Sequence, residues 1–441
     1  MRLLLPALLA LALAGPTAAQ AATVTTEQAT VFLGRSFREL PVVVVTAAPG
    51  ERNDMTILLE ERTIAVTDAG APLVPGGACR AEGAGVVCDV GQKTYDVPSI
   101  RLETDDGDDV VRVRGSQLRF SGGALVDAGP GDDQVTGAET AIGGPGDDTL
   151  QGRTVRGGPG SDTLSGTTAD FSDHFEPLTL TLDGQRNDGA PGERDLITAD
   201  VHAVVGGAAG DVIVGGPGDD DLRGGEGLGD RISGGAGDDT VWGTGQGGHR
   251  LDGGPGDDRV VAFLRAGTGS HLAGGPGDDD LASNYGDDTL VGGPGADSFS
   301  AGAGRDRIAT RDGVVERLDC GADADTITVD RGEWPSNCDT IDRPGAAAAA
   351  ASIVLSGRNR TEWYAYVACP PDAPRACSVT LEVRDGTRTV RRHVRVSRNT
   401  RRYVSGRRRT PLQLRALRLT TRDANGRRVS ATGPFGRPFG P

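Results

Sequence analysis

Aromatic residues and lysine are the two clearest shortages in this sequence. Phe, Tyr and Trp together make up 4% of the 441 residues, and Lys93 is the only lysine. Glycine, in contrast, occurs 69 times. So little bulky apolar material excludes one large conventional core, whereas the even spacing of the apolar residues argues against simple disorder. The length allows two or three domains.

Long apolar runs are absent beyond the first residues, so no transmembrane segment is expected. The N-terminus reads MRLLLPALLALALAGPTAAQAA, with a basic residue at Arg2, an apolar stretch from Leu3 to Ala14, and small residues at Ala19 and Ala21. An apolar stretch of about a dozen residues is too short for a membrane anchor and is typical of a secretory signal peptide. We therefore expect residues 1–21 to be a signal peptide and the protein to be secreted, either extracellular or associated with the cell surface.

The common signatures of catalysis and of zinc binding are also missing. The chain contains no HExxH, no GxSxG, no phosphate-binding GxxxxGK[ST] and no CxxC. The five histidines are scattered, and His174 within SDHF is more typical of a surface residue than of a general base. Paired Asp residues could mimic the carboxylates of a glycosidase, but their many copies favour ligands over one active site. No catalytic or cofactor-binding residue is predicted, and the protein is not expected to be an enzyme.

Six cysteines fall in three close pairs, which in an exported chain suggests disulfide bonds. Six cysteines allow several connectivities, and the short separations favour pairing in sequence order. The pairs would then be Cys79–Cys88, Cys320–Cys338 and Cys369–Cys377.

Charge is distributed unevenly along the chain. Residues 352–441 contain 20 Arg, no Lys and 5 acids, a net charge of +15, so the rest of the chain carries −31 of the total of −16. The acidic part is predicted to bind cations, and the Arg-rich C-terminal domain could bind an anionic cell-envelope polymer. Nucleic acid is not expected as the partner of an exported protein. Two alternatives remain open: a solvated Arg-rich strand face, and docking on the acidic part of the same chain.

The organisation follows from composition and repeats. Residues 22–120 alternate apolar and polar residues between turns, which predicts an N-terminal β region. Repeats occupy residues 121–342, interrupted by an insertion at 169–205 that carries no repeat unit. An Ala-rich linker at 343–351 precedes a basic β domain at 352–441, predicted to be a small β-sandwich.

The repeat unit is nine residues long and begins as in GGPGDDTL (Gly143–Leu150). Glycines at its first, second and fourth positions permit positive φ and a tight turn. The last three residues form a short strand whose single apolar residue, the eighth, can point inward. Two units would make one coil, and stacked coils would align parallel strands about 4.8 Å apart around a thin apolar core.

The sixth residue of nearly every unit is Asp, and stacking would bring these carboxylates into rows that repel. A hard cation with oxygen ligands would neutralise them, and Ca²⁺ suits a carbonyl-rich turn better than Mg²⁺, which requires a stricter octahedron. Each ion would lie between one turn and the next turn on the same edge. Acids at the fifth position, such as Asp219 and Asp278, are expected to be solvated.

At this point the unit resembles the G-G-x-G-x-D-x-U-x repeat of hemolysin-type (RTX) calcium-binding proteins. The resemblance covers about half of the chain and implies an all-β protein whose repeats form a parallel β-roll with Ca²⁺ between turns. It implies metal ligands at the sixth positions, of which the best placed are Asp211, Asp220, Asp239, Asp258, Asp279, Asp288, Asp297 and Asp306. Weaker candidates are Asp133, Asp148, Asp162, Asp230 and Asp325.

The chain also departs from that family. RTX proteins usually leave the cell through a C-terminal signal, whereas this chain has an N-terminal signal and a basic C-terminal domain. Two units have His249 and Ser270 near the place of the Asp, so the calcium row is expected to be interrupted there. Three alternatives remain: a disordered acidic spacer, a secreted toxin or hydrolase-related protein with the repeats as scaffold, and an adhesin that uses the basic tail.

Overall fold

The computed structural model is all-β, and no helix occurs in the residues it describes, hence none that could span a membrane. The described residues are 21–32, 37–60, 63–90, 100–115, 123–330, 335–342, 352–358, 362–369, 377–385, 388–396, 400–407, 414–422 and 428–433. The predicted signal peptide up to residue 20 and the linker at 343–351 lie outside them. The chain divides into two compact units, Met1–His174 with Thr181–Val204 and Phe175–Leu180 with Val205–Pro441.

The first unit begins with antiparallel strands and continues as a parallel stack. Its strands are β1 (Ala22–Phe32), β2 (Phe37–Thr46), β3 (Asp54–Leu59), β4 (Thr63–Asp68), β5 (Leu73–Pro75), β6 (Cys79–Glu82), β7 (Gly85–Asp89), β8 (Ile100–Glu103), β9 (Val110–Gly115), β10 (Ala124–Asp127), β11 (Gln134–Ile142), β12 (Thr149–Arg156), β13 (Thr163–Asp170), β15 (Arg186–Asp188), β16 (Asp195–Ile197) and β17 (Ala203–Val205), whose last residue belongs to the second unit. The first two residues of β14 (Thr179–Thr181) also belong to the second unit.

Antiparallel pairs β1–β2, β3–β4, β4–β7 and β6–β7 build the N-terminal part of this unit. The Cys79–Cys88 disulfide joins β6 to β7, as the sequence predicted. Strands β2 and β3 then pair in parallel with β8 and β9, which in turn pair with β10 and β11. The N-terminal strands therefore provide the first layer on which the parallel stack is built.

In the middle of this first stack, each coil consists of one glycine turn and one long strand. Strands β11, β12 and β13 pair in parallel, and the matching Asp residues of successive turns are 15 and 14 residues apart. The segment predicted as an insertion contributes to the same stack, because β16 pairs in parallel with β13 while β15 returns antiparallel to β16.

The second unit contains the two-turn coil that the sequence predicted. Its roll strands are β18 (Val212–Val214), β19 (Asp221–Arg223), β20 (Arg231–Ser233), β21 (Thr240–Gly247), β22 (Arg250–Asp252), β23 (Arg259–Thr268), β24 (His271–Ala273), β25 (Asp280–Ser283), β26 (Thr289–Val291), β27 (Ser298–Ser300), β28 (Arg307–Ala309), β29 (Arg317–Asp319), β30 (Thr326–Thr328) and β31 (Thr340–Asp342).

Even-numbered strands from β18 to β30, followed by β31, form one parallel sheet, and odd-numbered strands from β19 to β29 form the other. Matching turns are 18, 19 or 21 residues apart. The parallel β-roll architecture is therefore confirmed. The Cys320–Cys338 disulfide lies at the end of the roll, also as predicted.

The core of the roll is two facing rows of apolar side chains, one from each sheet. One row is Leu222, Val241, Val260, Leu281, Phe299 and Leu318, and the other is Ile213, Ile232, Leu251, Leu272, Leu290, Ile308 and Ile327, all at most 6% exposed. A single apolar residue for each short strand is enough for a core this thin, which accounts for the scarcity of aromatic residues.

The basic region forms two antiparallel sheets. Its strands are β32 (Ser352–Arg358), β33 (Glu362–Cys369), β34 (Cys377–Asp385), β35 (Arg388–Val396), β36 (Thr400–Arg407), β37 (Leu414–Arg422) and β38 (Arg428–Gly433). The first sheet has the order β32–β33–β36 and the second β35–β34–β37–β38. The side chains of Cys369 and Cys377 lie outside the described part of the structure, so their pairing remains a prediction.

Glycine at the fourth position of a turn is required only where a turn lies on the one before it. Gly277 has φ of 146°, and a Cβ there would lie 1.9 Å from the carbonyl oxygen of Gly256. Gly218 occupies the same position in the first turn of its edge, where an added Cβ would meet nothing within 4 Å.

We expect Gly277→Ala to lower the free energy of unfolding by about 1–3 kcal/mol, because the new Cβ meets backbone that cannot move alone. The matched control Gly218→Ala should cost far less. Denaturant unfolding at saturating calcium measures both, and equal losses for the two variants would contradict this account.

Candidate metal centre

All thirteen predicted ligands are buried at the start of a strand. The glycine turn ends at the Asp, and the apolar core residue lies two positions after this Asp. The exposed fraction is at most 7% for each of Asp133, Asp148, Asp162, Asp211, Asp220, Asp230, Asp239, Asp258, Asp279, Asp288, Asp297, Asp306 and Asp325. Burial of so many carboxylates is costly unless each one is hydrogen-bonded and its charge is compensated.

A repeated hydrogen bond joins these residues into rows. The backbone N–H of each residue donates to a side-chain atom of the corresponding residue in the next coil. In the first row the distances are 2.7–2.8 Å, and its members are Asn53, Asp109, Asp133, Asp148, Asp162 and Asp195. The second row is Asp220, Asp239, Asp258, Asp279, Asp297 and Glu316. The third row is Asp211, Asp230, His249, Ser270, Asp288, Asp306 and Asp325.

The other carboxylate oxygen, Oδ2, is the unused acceptor. It is buried and lacks a hydrogen-bond partner in Asp109, Asp133, Asp148, Asp162, Asp195, Asp239, Asp258, Asp279, Asp288, Asp297, Asp306 and Asp325. In Asp211 and Asp220 it accepts the N–H groups of Gly207 and Gly216 at 2.7 Å. Buried polar atoms are rarely left without a partner, so a row of such oxygens is the arrangement expected of a cation-binding site.

Backbone carbonyl oxygens converge on the same space. A Cβ added to Gly234, the first residue of its turn, would lie 2.4 Å from Oδ2 of Asp239 and 2.3 Å from the carbonyl oxygen of Gly253 in the next coil. The same pair of atoms surrounds Gly206, where both distances are 2.6 Å. The first glycine therefore leaves open a space bordered by one carboxylate and one carbonyl.

This donor set fits Ca²⁺, which accepts carboxylate and carbonyl oxygens in flexible geometry. Within the described ranges, no three His, Cys, Asp or Glu side chains are gathered to hold an ion by themselves. An ion in these rows would therefore rely on backbone carbonyls as much as on carboxylates.

Burial strongly raises the pKa of the row carboxylates, an effect that the backbone N–H bond opposes and neighbouring Asp residues reinforce. The pKa is raised to about 7 in Asp133, Asp148, Asp162, Asp195, Asp279 and Asp306. It is raised to about 6 in Asp239, Asp258 and Asp297. Without a metal ion, these side chains therefore favour the protonated form up to nearly neutral pH.

The two units that lack Asp still stack. The backbone N–H of Asp230 donates to Nδ1 of His249 at 3.2 Å, and the N–H of His249 donates to Oγ of Ser270 at 3.2 Å. Nδ1 of His249 also lies 3.0 Å from Oδ2 of Asp230. The hydrogen-bonded row is thus continuous where two carboxylates are absent, and the expected interruption is one of charge alone.

Fifth-position acids form a separate, exposed row. Oδ1 of Asp219 accepts the N–H of Asp238 at 2.9 Å, and Oδ1 of Asp278 accepts the N–H of Ala296 at 2.7 Å. Their exposure agrees with the expectation that they are solvated.

Four members of the rows were missed by the sequence analysis: Asn53, Asp109, Asp195 and Glu316. Asp109 ends the turn TDDGDD, which contains the GDD of a regular unit. Asp195 ends APGERD, a PGDD turn lengthened by one residue, as is GGEGLGD before Arg231. These two could have been found if one extra residue had been allowed in the turn. Asn53 and Glu316 differ in residue type, and only the stacking identifies them.

The raised pKa values predict that the stability of the metal-free protein falls as the pH rises. A carboxyl whose folded pKa exceeds its unfolded value stabilises the fold below the unfolded pKa, and this stability is lost as pH rises through the folded pKa. The calcium-free repeats should therefore be more stable at pH 4.5 than at pH 8, and saturating calcium should remove or reverse the difference. Thermal unfolding at the two pH values measures this.

Neighbouring carboxylates provide the control. In calcium-free buffer at pH 8, Asp279→Asn should raise the melting temperature, because it removes a buried charge while keeping the acceptor Oδ1. The exposed Asp278→Asn should change it much less. If the two variants behave alike, burial is not the cause of the pH dependence.

Comparison with known proteins agrees with this geometry. The family model of the RTX calcium-binding nonapeptide repeat matches four segments, residues 133–164, 204–228, 229–260 and 273–308. This match indicates no enzymatic family, and no curated protein matched the chain. The matched segments contain rows of buried Asp beside glycine turns, the arrangement that fits Ca²⁺. These four segments are therefore RTX-type calcium-binding nonapeptide repeats, and they bind Ca²⁺.

Proposed function

We propose that this is a secreted, non-enzymatic protein in which Ca²⁺, bound between stacked turns by the thirteen predicted Asp ligands, drives folding outside the cell. The observation that carries the proposal is the row of buried Oδ2 atoms without hydrogen-bond partners. In a calcium-poor cytosol these carboxylates repel one another and keep the chain loose for export. The folded roll then has a structural or surface-interaction role.

Energetic considerations support calcium as a folding ligand. Sites of extracellular type have dissociation constants of order 10⁻⁴–10⁻³ M. At millimolar calcium each filled site then stabilises the folded state by about 1 kcal/mol, and stacking couples neighbouring sites. Several such sites amount to a large part of the stability of an ordinary domain. Disulfide bonds and repeats of this type are also typical of extracellular proteins.

Circular dichroism in the far ultraviolet tests the folding role. The mature protein, from residue 22 onward, should gain β signal cooperatively when titrated with calcium at pH 7.5. Magnesium should produce little change, because it prefers a stricter octahedral shell. An identical spectrum in chelator and in calcium would exclude calcium-driven folding.

A second role, adhesion to the cell envelope, is suggested by the basic domain. Residues 352–441 carry a net charge of +15. Among the side chains described there, Arg391, Arg392 and Arg395 are exposed on β35. A positive surface of this kind attracts anionic wall polymers or lipid headgroups, and salt weakens that attraction.

Replacing Arg391, Arg392 and Arg395 with Gln should release the protein from cells at lower salt than the wild type. The matched control replaces three exposed arginines of the repeat units, Arg153, Arg265 and Arg305. Fractionation of cells over a salt gradient measures the effect. If the tail variant stays with the cells as firmly as the control variant, the adhesive role is wrong.

A further inference from the structure

The last turn of the first row, Gly189–Asp195, lies outside the four segments that match the repeat family. It reads GAPGERD and contains an extra residue, Glu193, compared with a regular turn. Asp195 nevertheless continues the row, because its Oδ1 accepts the N–H of Asp162 at 2.8 Å. Asp195 is fully buried, and its Oδ2 has no hydrogen-bond partner.

In the interior turns of the roll, the next coil supplies a carbonyl oxygen beside the Asp carboxylate. Beside the first glycine of such a turn, Oδ2 of the turn's own Asp meets a carbonyl oxygen from the next coil, as at Gly234 and Gly253. Within the described residues of the first unit, Asp195 is the last member of its row, so no further coil of that row supplies a carbonyl there.

Glu193 supplies an oxygen at the corresponding place. A Cβ added to Gly189 would lie 2.6 Å from Oδ2 of Asp195 and 2.9 Å from Oε2 of Glu193. The N–H of Ala190 donates to Oε2 of Glu193 at 2.8 Å and holds the carboxylate in position. Two carboxylates therefore converge where interior turns have one carboxylate and one carbonyl.

The other end of the same row begins with a related turn. The pentapeptide APGER occurs at 48–52 and again at 190–194, followed by the row residues Asn53 and Asp195. In both copies the N–H of the Glu donates to the carbonyl of the Ala three residues earlier. Glu51 is 9% exposed and neither carboxylate oxygen has a hydrogen-bond partner. Both ends of the row thus place a glutamate in the same kind of turn.

We propose that Gly189–Asp195 is an end turn that binds a terminal Ca²⁺, with the carboxylate of Glu193 replacing the carbonyl oxygen that a further coil would provide. This inference rests on calcium binding by the repeats and adds a site outside them. Two carboxylates make this site more negative than one built from one carboxylate and one carbonyl, which favours a divalent cation over a monovalent one.

Pairing with His174 is the competing explanation for the position of Glu193. Nε2 of His174 lies 3.9 Å from Oε2 of Glu193, and its Nδ1 lies 3.1 Å from Oδ1 of Asp173. If that pairing were the whole role of Glu193, its removal would leave the number of bound calcium ions unchanged.

The test counts calcium ions bound to the mature protein, by elemental analysis after equilibrium dialysis and by calorimetric titration. Glu193→Gln should lose one ion per chain, or bind one ion on the order of tenfold more weakly. The control is Glu226→Gln, which makes the same change in a turn where the glutamate is exposed and paired with Arg265. The control should bind as many ions as the wild type.

A second variant guards against a folding defect. Asp195→Asn keeps the acceptor for the N–H of Asp162 and should lose the same single ion. The double variant Glu193→Gln/Asp195→Asn should also lose only one. If the wild type binds calcium and Glu193→Gln binds the same number of ions with the same affinities, or if the double variant loses two ions, the end site alone is overturned. A wild-type protein that binds no calcium would overturn the proposed function itself.

Discussion

The double use of one carboxylate is the interaction on which the rest of this structure depends. Oδ1 accepts a backbone N–H from the neighbouring coil, and this bond sets the register of the stack. Oδ2 is then left in a buried space that contains carbonyl oxygens and no donor for most of the row. Because a buried, unpaired carboxylate is costly, the fold needs a proton or a cation at each such place. Where the first residue of a turn is glycine, as at Gly234, the turn leaves this space open, since a Cβ there would fill it.

Two coil designs satisfy this constraint. In the first unit, one turn and one long strand complete the coils of β11, β12 and β13, whereas in the second unit two turns and two strands complete a coil. The distance between successive Asp residues along a row is set in both designs by the distance between hydrogen-bonded parallel strands. The second row retains carboxylates at every step, while His249 and Ser270 replace two of them in the third row. A row in a β-roll can therefore keep its hydrogen bonds where it lacks a carboxylate.

The thin core explains both the low content of bulky apolar residues and the calcium-dependent folding that we propose. A core with one apolar residue per strand buries little surface, and hydrophobic burial alone supports such a thin layer weakly. In the proposed function, bound ions contribute the missing stability where calcium is available, so that the acidic repeats couple folding to the calcium concentration. The Arg-rich region carries the opposite charge. The proposed end site at Gly189–Asp195 uses the same chemistry at the last turn of the first row, where the carboxylate of Glu193 replaces the carbonyl oxygen of a further coil.

Periodicity in the sequence was sufficient to predict the parallel roll and the rows of Asp at the sixth position, because these depend on contacts that repeat with each unit. The identity of the ion followed from the oxygen ligands of the turn and from the resemblance to the RTX repeat. Two of the disulfides could also be predicted from the sequence, since their cysteines are close together in it. The tertiary structure alone decided which turns share an edge, and thus that His249 and Ser270 keep the third row continuous. It also brought Asn53 and Glu316 into rows with partners 56 and 19 residues away. Such membership is set by stacking in space, which the residue type at a single position does not reveal.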